Sequence, residues 1–148
     1  MTAPTLTPNE LARACADAMW AEDLASPALG MRLDHVASGS ATMSMTVGPT
    51  MVNGHRMCHG GFIFALADSA FAFACNTYGE RVVASGATIS FLRPAKLGMR
   101  LTATAHERAR AGRSGVYDIS VTDEAGHVIA EFRGQSRSLG TKFFEEAP

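Results

Sequence analysis

HGGFIFALADSAFAFACN, residues 59–76, decides how the rest of the chain is read. From Phe62 to Cys75 it is a run of Ala, Phe, Leu and Ile with one residue charged at neutral pH, Asp68. No Gly or Pro follows Gly61 within it, so the run predicts a helix. It is apolar on every side, and such a helix has to be covered on every side. At 14 residues, 62–75 is too short to span a bilayer, and it contains a carboxylate.

The covering material follows from the periodicity on both flanks. Before the run, Met31, Leu33 and His35 alternate with Arg32 and Asp34. After ASGS, Ala41, Met43, Met45 and Val47 alternate with Ser40, Thr42, Ser44 and Thr46. A period of two with one polar face predicts a hairpin. After the run, Ala87, Ile89 and Phe91 alternate with Thr88 and Ser90 up to RPAKLG. Leu101, Ala103 and Ala105 form a further strand, then Tyr117, Ile119 and Val121, and a last one spans about 128–138. GPTMVNGHRMCHGG (48–61) is a loop by its Gly, Pro and Asn content, and the long helix is expected to end near Gly79. At the N-terminus TPNE (7–10) is a capping box with Pro8 in the first turn. The helix it opens runs to about Glu22 and is broken by SPALG. Helix, two strands, one apolar helix and four strands make an α+β fold: a mostly antiparallel sheet wrapped around one long helix.

The 148 residues suit a single domain, 1–148, with 1–27 as an N-terminal helical segment. Hydrophobic residues make up 47% and charged residues 18%, which excludes a disordered chain. A net charge of −1 and a pI of about 6.5 give no global pull towards nucleic acid or anionic membrane. MTAPTLTPNEL has no basic segment leading into an apolar one, so no secretory leader is read. Three scattered cysteines, Cys15, Cys58 and Cys75, predict reduced thiols and a cytoplasmic protein.

A buried carboxylate is unfavourable unless it is paired or its pKa rises. Asp68 therefore faces a polar neighbour or solvent, or it is a general base or nucleophile in a cleft. The start of the helix bears on that choice. Gly60 and Gly61 put free N–H groups and the positive dipole end at a place where a ligand can approach the backbone, a candidate oxyanion hole. The same glycines would also serve a tight turn. Gly60 and Asp68 are eight residues apart, about 12 Å of helix rise, too far to act on one carbonyl. Two antiparallel copies of the helix would bring Gly60 of one subunit to Asp68 of another, so a dimer with composite sites is inferred.

NGHRMCHGGFIFALADSAFAFACN, with its Asn-Gly loop, His-Gly-Gly and Ala-Asp ending nine residues after the His, resembles the signature of the hotdog-fold acyl-CoA thioesterases. It is most similar to the group acting on phenylacetyl-CoA in phenylacetic acid degradation. The resemblance covers essentially the whole chain. It implies a cytoplasmic small-acyl thioester hydrolase built of homodimers that pair into homotetramers. It also implies that the position of Asp68 attacks the carbonyl or activates water, and that the Gly60 N–H polarises the carbonyl. Asn53 and His59 would help to hold water or substrate, with Gly61 beside them. No metal or redox cofactor is implied, and coenzyme A is part of the substrate.

Other patterns are weaker. His55, Cys58 and His59 match no zinc spacing. Cys58 lacks the partners a nucleophile needs. Between residues 81 and 113 stand seven basic residues against one acid. Of these Arg93, Lys96 and Arg113, in loops or turns, are the candidates for coenzyme A phosphates, a solvated strand face being the plain alternative. Phe62, Phe64, Phe71 and Phe73 are core residues of which one or two could line an acyl pocket, with Met19, Trp20 or Leu24 closing it. A hotdog dehydratase using His59 with Asp68, and a non-catalytic acyl-CoA sensor, are the competing readings.

Overall fold

The computed structural model describes residues 5–145. The first helix, α1 (Pro8–Glu22), starts as expected. The Glu10 N–H donates to Thr7 Oγ1 at 3.2 Å and the Thr7 N–H donates to Glu10 Oε2 at 2.7 Å. SPALG does not simply break it. Ala25–Ala28 form one short helical turn, α2, with the Ser26 N–H on Asp23 Oδ1.

Six strands follow: β1 (Arg32–Ala37), β2 (Ser40–Thr46), β3 (Glu80–Phe91), β4 (Arg100–Ala111), β5 (Ser114–Thr122) and β6 (Val128–Lys142). The long helix, α3 (Gly60–Cys75), lies between β2 and β3 in the chain. The sheet order is β1-β2-β4-β5-β6-β3, with every neighbouring pair antiparallel. The expected α+β architecture, one sheet around one helix, is what the chain forms.

The concave face of the sheet meets α3. Met43, Met45, Leu101, Ala103, Ala105, Tyr117, Ile119, Val121 and Phe132 are buried, and so are Ile63, Leu66, Ala67, Ala70, Phe71 and Ala74 of the helix. Alanines on both surfaces let helix and sheet approach. Phe71 lies on the backbone of Gly134, where an added Cβ would stand 2.7 Å from its ring. Phe71 and Phe132 pack with ring centroids 6.0 Å apart.

Four expectations need correction. In β1 the pairing shifts between Leu33 and His35, so Asp34 is a bulge residue, His35 is exposed and Val36 takes the buried position. Helix α3 ends at Cys75, not near Gly79. Asn76 stops it by donating from Nδ2 to Ala72 O and Val82 O while its Oδ1 accepts the Val82 N–H. Strand β3 begins at Glu80, well before Ala87, because two register shifts hide its period. Lastly, α3 is not covered all round. Gly61, Ala65, Asp68, Ser69 and Ala72, spaced to share one face, are exposed or half-buried. Strand β3, an edge strand bonded only to β6 among the described strands, is mostly exposed.

Candidate active site

The segment that delivers α3 is held by backbone pairing. The Asn53 N–H donates to Met57 O at 2.8 Å, the Cys58 N–H to Ala95 O at 2.7 Å and the His59 N–H to Met51 O at 2.7 Å. Asn53 Oδ1 accepts the N–H groups of His55 at 2.9 Å and Met57 at 3.3 Å. The amide oxygen of Asn53 is therefore used within the loop, as in other Asx turns, and its NH2 is the part left for a ligand.

His59 is the N-cap of α3. Its Nδ1 accepts the Gly61 N–H at 2.9 Å, which requires a ring with Nδ1 unprotonated and the proton on Nε2. The two glycines thus differ. Gly61 has committed its N–H to the cap, whereas the Gly60 N–H has no acceptor among the described residues. The backbone of Gly60 is also closely approached. A Cβ added there would stand 3.0 Å from Phe91 Cζ.

Gly60 opens on a cleft of about 400 Å³ whose lining includes Asn53, Cys58, Ile63, Phe91 and Arg93. Its walls are mainly apolar, with Asn53 and the Gly60 peptide as polar points, the usual make-up of a small-molecule site. Arg93 and Lys96 stand on the loop beside it, exposed and without an acidic partner among the described residues. Lys96 is anchored by a backbone bridge to Met57. Burial pushes the Cys58 thiol up, so it stays protonated and inert.

Asp68 is not part of that cleft. It lies two turns further along, half-buried on the uncovered strip of α3, and burial raises its pKa. No hydrogen bond or ion pair holds it among the described residues. Among the described residues Asp68 thus has no polar neighbour, and in one chain its strip is open to solvent. The charge is felt at Cys75, two turns on, whose thiol is pushed up to about 12, first by burial and further by Asp68.

Arg113 is placed elsewhere. From the β4–β5 turn it lines a small cavity together with Tyr78, Glu80, Arg110, Ser136 and Ser138. Phe71 and Phe73 are core, while Phe62 and Phe64 are half-buried. Trp20 packs on Phe73 at 6.1 Å, but Leu24 is 85% exposed and closes nothing in one chain. Sequence reasoning took Phe91 only as an alternating strand residue. Its place two residues before the RPAK break, at a strand end beside a loop, is the signal in the sequence.

Among the described residues no three His, Cys, Asp or Glu side chains converge as a metal site, and no helix is long and apolar enough to cross a membrane.

Residues 55–130 match the Thioesterase superfamily. The chain is 46% identical over 132 residues to the acyl-coenzyme A thioesterase PaaI of Escherichia coli K12, covering 89% of this chain and 94% of that one. It superposes on the structure of the E. coli PaaI protein from the phenylacetic acid degradation operon with a TM-score of 0.90 at 43% identity, covering 92% and 99% of the two chains. A mutant of the phenylacetic acid degradation protein PaaI from Thermus thermophilus gives 0.76 at 38% identity, over 79% and 100%. The chain belongs to the Thioesterase superfamily, in its hotdog-fold acyl-CoA thioesterase group.

Proposed function

We propose that this protein hydrolyses acyl-CoA thioesters, with phenylacetyl-CoA and ring-hydroxylated phenylacetyl-CoA as its preferred substrates, to the free acid and coenzyme A. One observation carries the mechanism. The Gly60 N–H and the Asp68 carboxylate are both without partners among the described residues, and both lie on the same helix about 12 Å apart. Two copies packed by the uncovered strip of α3 and the free edge of β3 would complete each other's sites. Gly61, Ala65 and Ala72 on that strip are small enough for two helices to approach closely.

In such a site the thioester oxygen accepts the Gly60 N–H. Asp68 of the other subunit takes a proton from water as the water oxygen bonds to the carbonyl carbon, and the carbonyl electron pair moves onto the oxygen. Collapse of this adduct re-forms the carbonyl and breaks the carbon–sulfur bond. The departing thiolate recovers the proton. Direct attack by Asp68, giving an anhydride that water then opens, uses the same contacts. A raised pKa makes Asp68 a stronger base than an ordinary carboxylate.

Asn53 supplies amide donors to water or substrate. His59 orders the first turn and keeps Nε2–H as a donor, and Gly61 acts through that cap rather than on the substrate. Arg93 and Lys96 meet the phosphates. Arg113, in a separate cavity, is left out of that set. The three free, buried cysteines suit a reducing cytoplasm. Dimers pairing into a homotetramer complete the proposal, with no metal or redox cofactor.

The test is thiol release from phenylacetyl-, hydroxyphenylacetyl-, benzoyl- and short aliphatic acyl-CoAs by wild type and Asp68→Asn. Release that prefers the arylacetyl thioesters and is lost in the variant supports the proposal. A folded protein that binds acyl-CoA and releases no thiol is a sensor. An enoyl product in place of thiol identifies a dehydratase.

A further inference from the structure

The geometry points to Phe91 as the residue that seals the carbonyl-binding peptide and positions the thioester on it. This rests on the thioesterase reading above. Phe91 is 52% exposed, unusual for a large apolar ring, yet it is not idle surface. Its ring stands over Gly60, so close that a Cβ there would lie 3.0 Å from Cζ and 3.3 Å from Cε1. It also lines the cleft onto which Gly60 opens. A side chain at position 60 would crowd the ring, which would have to shift by a few tenths of an ångström to admit it.

The ring is held from behind. Phe91 pairs with Ala130 at the end of β3, and the next two residues, Leu92 and Arg93, donate their N–H groups to Ile129 O at 2.8 and 3.2 Å. The backbone that carries the ring is thus fixed to β6, while the ring itself faces the ligand space.

Two consequences follow for a thioester whose oxygen sits on the Gly60 N–H. The ring occupies the space above the Gly60 Cα, so the carbonyl can approach only from the N–H side, which fixes its angle. With a thioester in the cleft, the ring closes the Cα side of that N–H and narrows the access of water to it. A hydrogen bond to a developing oxyanion is worth more where water is excluded. Phe91 is thus a positioning residue whose effect belongs to the transition state and falls on kcat more than on KM.

The experiment is steady-state thiol release by wild type, Phe91→Ala and Phe91→Leu with phenylacetyl-CoA, together with melting curves. Leu refills much of the volume, and Ala leaves the N–H open to water. Phe91→Ala is expected to lower kcat by about 10- to 100-fold, less than the 10²- to 10³-fold for losing an oxyanion donor outright. KM is expected to shift less, and Phe91→Leu to recover most of the loss. The melting curves and the elution volume of the dimer, read on the same variants, separate an effect on turnover from a loss of packing along β3. Phe91→Ala with wild-type kcat overturns the role of Phe91 and leaves the thioesterase reading standing. A loss seen only in KM, or one that tracks a fall in melting temperature, overturns it too. A wild type that releases no thiol from any acyl-CoA overturns the thioesterase reading, and this inference with it.

Discussion

His59 Nδ1 accepts the Gly61 N–H at 2.9 Å, while the Gly60 N–H beside it has no acceptor among the described residues. The capped peptide and the proposed oxyanion donor are neighbours, and substitutions can tell them apart. Substituting His59 separates them. His59→Ala removes the cap and should cost about 1 kcal/mol of stability. His59→Asn keeps a capping oxygen and should melt near wild type. If Asn also keeps turnover, the cap is what His59 contributes; if it loses turnover with its stability intact, Nε2–H touches the substrate.

Gly60→Ala should move stability and activity in opposite directions. Alanine in place of a helical glycine favours the helix by up to about 1 kcal/mol. Its Cβ, however, meets the Phe91 ring at 3.0 Å and displaces it. Small misplacements at a reacting centre can cost about 10²-fold in rate. A variant with an equal or higher melting temperature and turnover lowered at least about tenfold is expected. Thermal melts and thiol release on the same preparation check this.

Asp68→Asn should stabilise the fold as it removes catalysis. Burial raises the Asp68 pKa above its unfolded value, so the folded state holds the proton more tightly. Stability is then lost as pH rises from the unfolded value, about 3.9, through the higher folded value. The asparagine variant escapes that loss. Its melting temperature should exceed wild type at pH 7, and the gap should close below about pH 4. Turnover should fall by about 10²- to 10⁴-fold.

The same shift sets the acid limb of the rate. In kcat/KM against pH, activity should fall with decreasing pH at a midpoint above the ordinary aspartate value of about 3.9. Gly60→Ala, which leaves Asp68 in place, should keep that midpoint. A midpoint at the ordinary value would mean that Asp68 is solvated in the active form.

Arg93 and Lys96 should matter only to the coenzyme A end of the substrate. Arg93→Ala and Lys96→Ala are expected to raise KM for acyl-CoA and to weaken its salt dependence. Thioesters of N-acetylcysteamine, which lack the phosphates, should be unaffected. Arg113→Ala should behave as wild type with both.

Much of this was legible in the sequence, for identifiable reasons. The period-two runs in β2, β4 and β5 revealed those strands because each has one face on α3 and one on solvent. Strand β3 was half missed because an edge strand with two register shifts has no such constraint. The end of α3 was misplaced because Asn76 stops it with side-chain bonds across to Val82, a contact that local spacing does not reveal. Asp68 stood out because a carboxylate in an apolar helix conflicts with its surroundings. Gly60 and Gly61 read alike in sequence, and only the ring of His59 distinguishes them. Phe91 was passed over because its partner, Gly60, lies 31 residues away and has no side chain to betray the contact.

The most direct test of the account is complementation between subunits. Gly60→Pro removes the oxyanion N–H at a first helical position that tolerates proline, and Asp68→Asn removes the base. Each variant alone should be inactive. Co-refolded in equal amounts with random pairing, they should regain about a quarter of wild-type thiol release, since half the dimers are hybrids and each hybrid has one complete site. Mixtures as inactive as their parents, with hybrid dimers demonstrated, would contradict a site built from Gly60 of one subunit and Asp68 of another.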